Sequence, residues 1–77
     1  MTTIKPNPVA AGAQLAIEAN NVTKLTLCST YGVVLTTYTN TDNTQRIVLT
    51  APYTAGVYWL QVDNILGIPK RYKLVVQ

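Results

Sequence analysis

Ala55-Gly56-Val57-Tyr58-Trp59-Leu60-Gln61-Val62-Asp63 reads as a turn followed by strict alternation, with Tyr58, Leu60 and Val62 on one side and Trp59, Gln61 and Asp63 on the other. Successive side chains of an extended strand point to opposite faces, so this period of two predicts a strand with one face buried. A helix would instead place apolar residues three and four apart, and no window of the chain does so convincingly. Downstream, residues 64–69 form a loop around Gly67. The final strand, residues 70–76, then sets Tyr72, Leu74 and Val76 against Arg71, Lys73 and Val75.

The same pattern extends upstream. Pro52 ends a strand marked by Ile47 and Leu49, with Arg46 on its opposite face, since proline has no donor for a ladder. Residues 40–43 are a polar loop. Residues 33–39 extend but leave their facing open, because Val33, Val34 and Leu35 are all apolar. Tyr31-Gly32 turns the chain back from residues 23–29, where Leu25 and Leu27 face inward and Lys24 and Thr26 outward. Asn20-Asn21 makes a turn, and residues 14–19 put Leu15, Ile17 and Ala19 on one face. A short lead strand covers residues 3–5. Twelve Thr, nine Val and five Ile agree with strands throughout, because branching at Cβ suits a pleated surface better than a helix. The expectation is an all-β fold: an Ig-like β-sandwich of about seven short, mostly antiparallel strands, forming one domain over residues 1–77.

Composition narrows the chemistry. At 77 residues and 48% apolar the chain can bury a core, but a small one, worth a stability margin of about 3–5 kcal/mol. There is no histidine, the acids are Glu18, Asp42 and Asp63 alone, and Cys28 is the single cysteine. Catalytic and metal sites draw on those residue types, so no catalytic residue, metal or cofactor is expected. The net charge of +3 reflects scarce acids rather than abundant bases, which argues against a nucleic-acid partner. No apolar run is long enough for a spanning helix.

Four blocks, in order, resemble the type A C-terminal sorting domain of the type IX secretion system of Bacteroidetes. Lys5-Pro6-Asn7-Pro8-Val9 with Gly12 and Leu15-Ala16-Ile17 is similar to that family's proline-asparagine-proline start and first core strand. The second block runs from Leu25 through Gly32 to Leu35. The third joins Ile47-Val48-Leu49-Thr50 to the Gly56-Val57-Tyr58 strand, and the fourth is Lys70-Arg71-Tyr72-Lys73-Leu74-Val75-Val76-Gln77. The chain departs from the family pattern at Lys5, Cys28-Ser29, Val48 and the loop around Ala51-Pro52-Tyr53.

The resemblance implies a secretion signal at the end of a larger protein, of which this chain is an excised piece. Such a signal directs an upstream cargo from the periplasm through the outer-membrane translocon and its shuttle, to the cell surface or the medium. A surface sortase typically removes the domain as it attaches the cargo. The motif residues that the resemblance assigns to recognition are Pro6, Asn7, Pro8, Gly32, Gly56, Tyr58, Lys70, Lys73, Leu74, Val75 and Val76.

Each also has a plainer structural reading. Pro6 and Pro8 favour an extended Asn7 that starts a strand while blocking edge pairing. Gly32 and Gly56 supply positive φ at tight turns. Tyr58 belongs to the core. Lys70, Arg71 and Lys73 form the one basic cluster, which either keeps a terminal edge strand from pairing promiscuously or meets an acidic patch on the translocon, with phosphate binding ranked last. Trp59 either packs under a loop or serves as a contact anchor, and a lone thiol such as Cys28 is more often buried than reactive. Exposed sheet edges would let two copies pair as a homodimer. The alternative from another class is a free-standing Ig-like adhesion or interaction module, separable from a sorting signal by its position in the parent protein. A small enzyme ranks last.

Overall fold

The computed structural model describes residues 2–77 and contains seven strands and no helix among them. These are β1 (Thr3–Lys5), β2 (Gln14–Glu18), β3 (Val22–Ser29), β4 (Val34–Thr39), β5 (Arg46–Thr50), β6 (Gly56–Asn64) and β7 (Lys70–Val76). They form two sheets, a three-stranded one in the order β1-β2-β5 and a four-stranded one in the order β4-β3-β6-β7. Every strand pairing is antiparallel, giving the expected all-β sandwich.

Alternation places the core where the sequence puts it. Leu15 and Ile17 of β2, Leu25 and Leu27 of β3, Ile47 of β5, Tyr58, Leu60 and Val62 of β6, and Leu74 and Val76 of β7 are all buried in one core. Burying a side chain of this size is worth roughly 1.5–3 kcal/mol, so these residues dominate folding. Val22 is also buried and β3 begins there, one residue before the expected start. Its neighbour Asn21 takes φ 58°, the left-handed conformation expected of the Asn20-Asn21 turn.

The facing of β4 has an unexpected resolution: none of its six residues is buried. Four strands cannot all be covered by three, and β4 is the strand left over, at the outer edge of its sheet. Its register with β3 shifts between Leu27 and Cys28, so Leu35 is the extra residue of a bulge. Beside it, a cavity of about 360 Å³ opens between these strands and the segment after β5, lined by Leu27, Leu35, Thr36, Ala51, Pro52 and Tyr53.

Two small residues shape the chain path. Gly32 has φ 84°, and nothing lies within 4 Å of the point where a Cβ would stand, so the turn needs glycine for its backbone and not for space. Gly56 also takes the expected positive φ, 158°, but it does so as the first residue of β6, opposite Val76, rather than inside a tight turn.

The loop after β4 is organised by Asn40, which is buried. Its side-chain amide donates to Val22 O at 2.9 Å and Thr44 O at 3.0 Å, and its Oδ1 accepts from the Thr44 amide at 3.2 Å. Its own backbone amide donates to Thr23 O at 2.9 Å. The residue read from sequence as the start of a polar loop is thus a buried strut between that loop and β3.

Candidate functional site

The proline-asparagine-proline motif and the terminal strand lie far apart in sequence and meet in space. β1 ends at Lys5, and Pro6–Pro8 carry the chain away from its sheet to the outer edge of β7, with the Lys5-Pro6 and Asn7-Pro8 peptide bonds both cis. This corrects the expectation that the prolines start a strand through an extended Asn7: they follow one. They do bear on edge pairing, though through a different group.

That group is the Asn7 side chain. Its Nδ2 donates to Lys73 O at 2.9 Å, and its Oδ1 accepts from the Val75 amide at 3.0 Å. A primary amide offers a donor and an acceptor side by side, as a backbone peptide does, so Asn7 takes the place of a neighbouring strand. The backbone then continues the pairing. Val9 donates to Val75 O at 2.9 Å and accepts from the Gln77 amide at 2.8 Å, and the Ala11 amide donates to Gln77 O at 2.9 Å. Val9 makes an isolated parallel bridge to Val76, and its side chain is 1% exposed, anchoring this clasp in the core.

The outward polar groups of β7 from Lys73 O to Gln77 O are therefore occupied. An open edge of that length would be a template for pairing with other chains, and here it is closed from within. The first half of β7, around Lys70 and Arg71, has no such cover among the described residues.

The other motif residues divide by role. Leu74 and Val76 are buried and Val75 is half-buried, so the aliphatic end of the chain is tied into the sandwich. Tyr58 sits opposite Leu74 in the β6–β7 register, in the core, with its hydroxyl donating to Thr54 O at 2.6 Å. Lys70 and Lys73 are exposed. Gly32 and Gly56 stand apart from the clasp contacts and shape the chain path. The structure thus brings Asn7, Lys73 and Val75 into direct contact, with Pro6 and Pro8 flanking the asparagine.

The outward face beside the clasp carries a row of three registered residues, Cys28, Trp59 and Lys73. Cys28 is half-buried, and Trp59 is 38% exposed. In the neighbouring row Arg71 Nε donates to Gln61 Oε1 at 3.2 Å, and Gln61 Nε2 donates to Asp63 Oδ1 at 3.3 Å. These contacts hold Arg71 along the sheet, so the face presents an indole with two cations beside it. Sequence reasoning found every residue of this face but missed that Asn7 and Asn40 are structural bonds rather than solvent-facing polars. An asparagine next to a proline or at a strand end is the only sign that either leaves in the sequence.

A family model described as the secretion system C-terminal sorting domain matches residues 3–77, which takes in both halves of the clasp and every strand. Among curated proteins none matches the chain.

Proposed function

Because the chain belongs to the family of type IX secretion C-terminal sorting domains, we propose that it is a folded label, recognised by its outward β6–β7 face while the clasp holds that face in shape. As a sorting signal it serves export toward the outer membrane or cell surface, and no helix among the described residues is long and apolar enough to cross a membrane. On this reading the outer-membrane translocon and its shuttle contact Lys73, Arg71 and Trp59, and a surface sortase removes the domain from its cargo without using any group of this chain as catalyst. The domain itself performs no reaction.

The observation that carries the reading is the occupied edge of β7. A partner cannot add a strand along Lys73–Gln77 while Asn7 and Val9 hold those groups, so what the folded domain offers there is side chains. Lys73 is the exposed cation at the centre of that surface, in register with Trp59. The test is Lys73→Glu in a domain fused to a reporter. An exposed charge contributes only about 0–1 kcal/mol to stability, so melting should hardly change while delivery of the reporter to the surface falls severalfold. Unchanged delivery would remove Lys73 from the recognition surface, and a fall in delivery matched by a fall in melting temperature would assign the effect to folding.

A further inference from the structure

The loop joining β6 to β7, residues 65–69, carries Ile65, Leu66 and Ile68 at 65%, 76% and 55% exposure. Single exposed aliphatics are ordinary, but three on one five-residue tip form a patch that calls for a partner. The loop is also unusual in its backbone. The Ile65 amide donates to Asn21 O at 3.0 Å, Leu66 to Asn64 Oδ1 at 2.9 Å, Gly67 to Asn64 O at 2.9 Å and Ile68 to Asn64 Oδ1 at 3.4 Å. Pro69 has no N–H. Five consecutive residues therefore offer no free backbone donor, and an unpaired donor costs free energy to remove from water.

Charge is arranged behind the tip. Lys70, opposite Val62 on the inward side of β7, and Arg71, opposite Gln61 on its outward side, follow the loop directly and are both exposed, so a cation flanks the tip on each face of the strand. The nearest acid is Asp63, which stands opposite Lys24 in the register and is bonded to Gln61, while Glu18 stands opposite Arg46 in the smaller sheet and Asp42 lies in the loop after β4. The cations thus directly follow the tip in the chain, and no acid falls within it.

We propose that this tip is an interfacial anchor for an anionic phospholipid surface, with Ile65, Leu66 and Ile68 entering the headgroup–acyl boundary and Lys70 and Arg71 meeting lipid phosphates. A tip that offers aliphatic carbon and no backbone donors has little with which to specify a hydrogen-bonded protein groove, whereas a fluid apolar layer under a negative surface asks only for these two features. The proposal shares Arg71 with the recognition face proposed above but uses neither Lys73 nor Trp59, and would survive the failure of the Lys73 test.

The experiment is co-sedimentation of the 77-residue chain with vesicles of phosphatidylethanolamine and phosphatidylglycerol, compared with phosphatidylcholine alone, at low and high salt. The chain should partition onto the anionic vesicles and bind them severalfold less at high salt. Leu66→Ser combined with Ile68→Ser should lower partitioning about tenfold or more with melting unchanged, because exposed side chains contribute little to the fold. Lys70→Gln with Arg71→Gln should remove the preference for anionic lipid. A folded chain that stays in the supernatant overturns the proposal and leaves the tip to a protein groove. Equal binding by the double serine variant overturns it as well, since attraction of charge alone would then suffice.

Discussion

Asn7 and Asn40 show how one amide side chain can replace a stretch of backbone. Each presents a donor and an acceptor where a strand or loop would otherwise leave peptide groups without partners. They differ in burial, and burial sets the cost of removing them. An unsatisfied buried group costs about 1–3 kcal/mol, while the same group near water recovers much of its loss by hydration. Asn40→Ala strips a buried site and should cost about 2–3 kcal/mol, most of the margin of so small a domain. Asn7→Ala, at an exposed edge, should cost about 1 kcal/mol and lower the melting temperature by roughly 4–8 °C. Thermal denaturation of the two variants checks the order, and a larger loss for Asn7→Ala would contradict it. Neither role is legible in the sequence. Polarity and turn preference describe an asparagine equally well whether it faces water or a carbonyl, and only the folded chain brings Val22 O or Lys73 O within reach.

The strands are far more legible, for a physical reason. Alternation such as Tyr58-Trp59-Leu60-Gln61-Val62 reports directly on a sheet with one wet and one dry face, and β2, β3, β6 and β7 all follow it. β4 does not yield because Val33-Val34-Leu35 carries no alternation, and the element proves to be buried on neither face. What covers a strand depends on how many strands stand opposite it, which no local pattern records. The two outer edges of the larger sheet are also treated differently. That of β7 is clasped by Asn7–Ala11 and bears Arg71 and Lys73, whereas β4, from Val34 to Thr39, has no charge, no proline and, among the described residues, no strand partner beyond β3. In the smaller sheet, β1 is only three residues long and β5 begins with Arg46. Two copies at high concentration are therefore expected to pair through β4. Sedimentation velocity should show that association weakened by Thr37→Lys, a charge on the uncovered strand, and indifferent to changes at Lys73. A monomer at every concentration, or a dimer that ignores Thr37→Lys, would contradict this assignment.

For the molecule as a whole, the clasp joins residues 66 and 68 positions apart, so the two ends of the family pattern are one piece of structure. Contacts this distant in sequence form only when the sandwich does, which makes the proposed recognition face a property of the complete fold rather than of the terminal segment. The sequence resemblance located both ends of this arrangement without revealing that they touch. The central claim, that the label works as a folded object, can be measured as surface delivery of a fused reporter plotted against the folded fraction of the domain. The series would comprise the parent, Asn7→Ala, Asn40→Ala and a deletion of residues 73–77, which removes Leu74 and Val76 from the core. The account predicts that delivery falls along one curve as the folded fraction falls, with Asn40→Ala impaired although it lies outside the clasp and the deletion retained in the periplasm. Full delivery by Asn40→Ala at a temperature where its domain is mostly unfolded would show that the signal is read as a linear sequence, and would contradict the claim.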